Sequence, residues 1–173
     1  MTTPIIIMPL EMIAAQQVMD RLIWDHKWYV AGAASATAMC DAESSFRWTV
    51  EGDKNLKNTA HGGWQWRLER YDGTLHPTNK VFVGLLQYAK EFGPHHTEND
   101  WTNWTVQVDY FNFDRARRSE AEKNWHLCTD IMEGVLAGQK FESYSGPLQP
   151  KRTALAEAFY AEFHRLNPRY DGK

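Results

Sequence analysis

Cysteine is nearly absent. Cys40 and Cys128 are the only two, far apart, with no CxxC pair and no Cys/His spacing of the zinc type. Nothing in the sequence requires a disulfide. His95 and His96 are adjacent, and adjacent side chains on a regular element point apart, so no metal or other cofactor is expected. No block of like charge or low-complexity tail is present, which excludes a disordered interaction arm. No apolar stretch approaches bilayer length, so no membrane insertion is expected. Excess positive charge is missing too. The net charge is -3, which argues against a basic face for nucleic acid. The start of the chain lacks a basic region, and its short apolar run, Ile5 to Met8, meets Pro9 and Glu11. It does not read as a signal peptide, and synthesis in a cytoplasm is expected.

What is present suffices for a core. With 43% hydrophobic residues among 173, the chain fits one domain, 1–173, whose first eight residues read as extended. Helical spacing of Leu10, Ile13, Ala14, Val18 and Leu22 predicts a helix from Pro9 to about Asp25. A second helix, Tyr29 to Glu43, is made almost wholly of small residues and is expected to lie deep, because other backbones can approach it closely. Residues 45 to 66 carry weak β alternation at Phe46–Val50 and turn residues at Gly52 and Gly62-Gly63, which predicts a small hairpin lobe. A short helix is expected from Arg67 to Tyr71. Longer ones are expected from Asn79 to Phe92, Asp100 to Arg115, Ser119 to Ala137 (closed by Gly138) and Pro150 to Leu166. The class is α+β, mostly α-helical.

Glu43 is oddly placed for a structural residue. A carboxylate is disfavoured at the negative, C-terminal pole of a helix, and burial also disfavours its charged form. Both effects favour the protonated acid that general acid catalysis needs. Asp53 follows ten positions later, after Gly52, and Thr59 six positions after that. An acid at a helix end, a second carboxylate across a hairpin and a hydroxyl beside it are the parts of a glycosidase: one protonates the leaving oxygen, the others orient water. Read separately, Asp53 is a turn residue, Thr59 a cap, Gln65 a loop-backbone partner, and Trp64 and Trp66 core. Eight tryptophans add weak support for a sugar ligand.

The run Glu43-Ser44-Ser45-Phe46, then Gly52-Asp53, then Thr59-Ala60-His61-Gly62-Gly63-Trp64-Gln65-Trp66 resembles the phage tail lysozyme family, of the lysozyme-like superfamily. Asp100-Trp101 through Gln107-Val108-Asp109-Tyr110 is similar to that family's Trp…Gln-Leu-Asp/Glu-Tyr helix. Phe141-Glu142…Pro147…Arg152 is similar to its C-terminal segment. The likeness covers most of residues 18 to 160. Three departures stand out: Ser45 replaces a usual glycine, His61 a commonly apolar residue, and the stretch from Asp53 to Thr59 is longer by about three residues, within ordinary loop variation.

The resemblance implies a lysozyme-like domain that cleaves the β-1,4 bond between N-acetylmuramic acid and N-acetylglucosamine in peptidoglycan. Glu43 would be the general acid, Asp53 and Thr59 would position water, and Gln65, Tyr110, Trp66 and His61 would line the sugar cleft. A lytic transglycosylase is the alternative chemistry, with Glu43 as acid and then base. A non-catalytic wall-binding or structural lysozyme-like protein is the alternative from another class. The implied partners are the peptidoglycan glycan strand and a phage tail or holin-type delivery system. The protein would act on the cell wall as an endolysin or be carried in the virion.

Overall fold

The computed structural model describes residues 9–52, 60–67, 81–142 and 146–171. The fold is α+β and mostly helical. Helix α1 is Pro9–Asp20 and continues as a π-helical segment, Arg21–Asp25; α2 is Val30–Ser44. Three two-residue strands follow: β1 Glu51–Gly52, β2 Ala60–His61 and β3 Trp66–Arg67. Then come α3 Val81–Phe92, a 3-10 segment Glu98–Thr102, α4 Trp104–Arg115, α5 Glu120–Lys123, a second 3-10 segment Asn124–Leu127, α6 Ile131–Phe141 and α7 Pro150–Leu166. Among the described residues, no helix is long and apolar enough to cross a membrane. The chain divides into two compact units, Met1–Ala42 with Arg115–Lys173, and Glu43–Asp114.

In the first unit the small residues of α2 do what their size allows. Ala31, Ala33, Ala34, Ala36 and Ala38 are all buried. A Cβ on Gly134 of α6 would come within 2.4 Å of Ser35 Oγ, and one on Gly32 within 2.6 Å of the Trp125 carbonyl oxygen. Ser35 Oγ accepts from Trp125 Nε1 at 2.7 Å and donates to Gly32 O at 2.7 Å, so the buried indole is satisfied. Trp28 meets Trp125 edge-on, with ring centroids 5.8 Å apart. The Arg115 guanidinium lies 5.0 Å from the centroid of the Trp28 ring and donates to Lys123 O. Burial pulls Arg115 down to about 10. Further on, Arg152 pairs with Glu142, and Gln139 Nε2 donates to Pro147 O at 3.2 Å. These contacts give the C-terminal Phe-Glu…Pro…Arg pattern a structural purpose.

The second unit is built on aromatics; five of the eight tryptophans lie in it. Trp64 stacks on Phe111 at 4.4 Å and 7°, and Trp66 meets Tyr110 at 5.5 Å. The strands form one antiparallel sheet in the order β1-β2-β3, with Glu51 opposite His61 and His61 opposite Trp66. Gln107 of α4, 0% exposed, joins three segments. Its Oε1 accepts from Gly63 N at 2.7 Å. Its Nε2 donates to Trp48 O at 2.6 Å and to Trp101 O at 2.8 Å. Gly62 has φ +74°, and a Cβ there would sit 2.5 Å from Gln107 Oε1, so both its backbone conformation and the close approach call for glycine.

Four expectations need correction. Phe46–Val50 is turn rather than strand, and Arg67 belongs to β3 rather than opening a helix; the remainder of that expected helix lies outside the described residues. The helix expected from Asp100 is split at Asn103, whose Oδ1 accepts from Thr105 N at 3.0 Å and so starts α4 afresh. The helix expected from Ser119 to Ala137 is broken because Asp130 caps a new one, accepting from Glu133 N at 3.1 Å. Gly138 therefore does not stop a helix. It lies inside α6, where a Cβ would come within 3.0 Å of the Trp125 ring.

The Gln107 carboxamide offers a direct stability test. Gln107→Glu keeps the shape but sets a carboxylate oxygen against two carbonyls, and should destabilise by about 3 kcal/mol or more. Urea unfolding of both proteins measures this, and a loss below about 1 kcal/mol would contradict the assigned role.

Candidate active site

Glu43 occupies the last turn of α2 and is half-buried. The chain then turns sharply. Ser45 and Phe46 both take left-handed backbone, φ 51° and 57°. Arg47 closes the turn, donating to Ser44 O through its backbone N at 3.1 Å and its Nε at 2.9 Å. A cationic group on the last carbonyls of a helix is favoured by the macrodipole. Ser45 stands where the resembled family usually has glycine, and its positive φ supplies the reason for that glycine. A non-glycine residue costs about 1 kcal/mol there.

The remaining expected residues are placed as follows. Asp53 and Thr59 lie outside the described residues. Gln65, at φ 53°, folds back on its own turn, its N and Nε2 both donating to Gly62 O at 3.2 and 2.8 Å. Its side chain thus serves the β2–β3 connection. Trp66 and Tyr110 are 3% and 4% exposed. At that exposure they shape a wall, and offer a sugar little ring surface. The Tyr110 hydroxyl lies where a Cβ on Gly84 would be, at 2.2 Å. His61 stacks on Phe82 at 4.0 Å and 13° and meets Trp101 edge-on at 5.9 Å. At a position that is commonly apolar, its ring serves as an aromatic plate.

Two features escaped the sequence reading. The first is Asp41, whose carboxyl is pushed up to about 6, by burial first, then by Glu11, with Lys151 opposing. It is 7% exposed and belongs to the first unit, on the same helix as Glu43. The second is a cleft of ≈ 540 Å³ in the second unit, bounded by Trp48 and Trp104. His95 also lines it. The His95 Nδ1 lies 2.8 Å from Asp100 Oδ1, and Asp100 Oδ2 accepts from His95 N at 2.9 Å and Thr97 N at 3.3 Å. Burial alone would raise the Asp100 carboxyl, but the hydrogen bonds from His95 and Thr97 outweigh it and hold the carboxyl below its usual range. The Thr97-x-x-Asp100 spacing, a capping pattern, was the one local clue. Among the described residues no group of three His, Cys, Asp or Glu side chains could hold a metal ion.

Two measurements follow from this geometry. Ser45→Gly should raise stability by about 1 kcal/mol by removing the strained φ, as read by urea unfolding. Asp41 is an acid raised on folding, so its contribution is complete below its unfolded value of about 3.9 and is lost as pH rises through about 6. The parent should lose up to about 3 kcal/mol from this group between pH 4 and 7. Asp41→Asn should lack that part of the slope, and parallel stability–pH curves for the two proteins would refute the assignment.

Residues 14–163 match the model of a family described as phage tail lysozyme. No curated protein and no solved structure matches the chain at a significant level. The family match spans the acid-bearing helix end, the sheet and the Gln107 helix, and the chain therefore belongs to the phage tail lysozyme family.

Proposed function

We propose that this lysozyme-like protein acts as one catalytic domain that hydrolyses the β-1,4 bond between N-acetylmuramic acid and N-acetylglucosamine in peptidoglycan. The observation that carries the reading is Glu43, half-buried on the final turn of α2 and followed at once by a fixed, strained turn. The Glu43 carboxyl gives its proton to the glycosidic oxygen as the bond to C1 breaks. Water attacks C1 from the opposite face and passes a proton to the Asp53 carboxylate, with Thr59 orienting the water. The anomeric centre inverts, and the leaving sugar departs as an alcohol. His61 and Gln65 flank the path of the glycan, and Trp66 and Tyr110 back its wall. The glycan strand is the substrate, and a phage tail or holin-type system delivers the protein to the wall.

Glu43→Gln preserves shape but removes the transferable proton. It should reduce clearing of a bacterial wall suspension by about a thousandfold while leaving the melting temperature unchanged or raised. Equal clearing by both proteins would sink the acid assignment. Mass analysis of the released glycan separates a hydrolysed reducing end from the anhydro sugar of a transglycosylase.

A further inference from the structure

The cleft between Trp48 and Trp104 belongs to no residue set assigned above. Both indoles are half-exposed and tilted against each other, with centroids 6.4 Å apart and planes inclined at 39°. Its other boundaries include Thr97, Asn99, Asn103 and His95. Neither Lys nor Arg is among the described residues that line it. Among the described residues that line it, Asp100 is the one carboxylate, and both oxygens are engaged by His95 and Thr97. The described lining thus offers an anion no Lys or Arg and a cation no uncommitted carboxylate. Aromatic faces beside neutral amides and hydroxyls suit a neutral ligand with an apolar face and many hydroxyls.

The walls are also held in place. The carbonyl of Trp48 accepts from Gln107 Nε2 at 2.6 Å. Trp104 is the first residue of α4, beside Asn103, whose Oδ1 is committed to Thr105 N and Oγ1 at 3.0 and 2.9 Å. That commitment leaves the Asn103 amide NH2 as a donor. Prearranged rings bind with less ordering entropy than mobile ones. Trp48 is five residues from Glu43, a stretch of chain that spans at most about 18 Å.

We infer that this cleft is a subsite for an N-acetylated sugar residue of a glycan strand, with the Trp48 and Trp104 rings taking the sugar face and acetamido methyl, and Asn99, Asn103 and His95 its polar groups. The choice of an acetamido sugar rests on the peptidoglycan reading. The test is binding, measured apart from catalysis.

Glu43→Gln protein is titrated with tri-N-acetylchitotriose and with cellotriose by calorimetry. The acetamido trisaccharide should bind saturably, and cellotriose about tenfold or more weakly. Trp104→Ala in the same background should weaken binding about tenfold, the scale of one lost stacking contact. Asn99→Ala, at an exposed position, should weaken it a few-fold, about threefold, with an unchanged melting temperature, so a folding failure of the tryptophan variant does not decide the matter. The subsite is overturned if the trisaccharide does not bind, if cellotriose binds equally, or if both variants bind like their parent. Wall clearing by Glu43→Gln reports separately on the acid. Should that variant clear walls like wild type while Trp104→Ala and Asn99→Ala lose binding, the acid assignment falls and the subsite stands.

Discussion

The second unit depends on one carboxamide. Gln107 has its donors and acceptor satisfied by backbone groups of three separate segments: the turn that follows Glu43, the β2–β3 connection and the 3-10 segment before α4. Each bond alone is worth about 1 kcal/mol net, but leaving any of these buried groups unmade is worse. The arrangement is therefore close to all-or-none. It also explains its neighbours. Gly62 is glycine because Gln107 leaves no room for a Cβ, and Trp48 stays put because its carbonyl is held. The Gln107-Val108-Asp109-Tyr110 stretch is, in this chain, chiefly a brace: its glutamine joins loops and its tyrosine is buried.

Helix α2 places two acidic residues, two positions apart, in different surroundings. Asp41 is enclosed and shifted by burial and by charges on α1 and α7. Glu43 lies on the last turn, half-buried, beside the chain reversal at Ser45 and Phe46. A titration that detects one raised carboxyl near pH 6 reports first on Asp41, so the part played by Glu43 is read by substitution instead.

What was legible followed from how local the signal was. Pro150 and Asn167-Pro168 bracket α7 at its observed bounds, because proline restricts the backbone wherever it stands. The glycine-rich stretch at 62–63 marked the sheet turn for the same reason. Breaks inside apolar periodicity were not legible. Asn103 and Asp130 cap new helices with short side-chain bonds, and the flanking pattern of large residues continues as if nothing had happened. Gly138 misled because a packing glycine and a stop glycine look alike in one sequence; only the Trp125 ring tells them apart. The place of Glu43 on the last turn of α2 was legible, from the run of small residues that ends there. The Trp48–Trp104 cleft was not, because its walls come from segments 56 residues apart in the chain that only the fold brings together.

The two thiols have a consequence for how such a chain closes. Neither is in a disulfide, and Cys40 is buried on α2. The thiol of Cys128 is pushed up to about 11, by burial first and then by Glu133 and Asp130. At neutral pH its reactive anion is a trace species, on the order of one part in ten thousand. No disulfide therefore has to form for this fold to close, and the one half-buried thiol is held in its less reactive, protonated form.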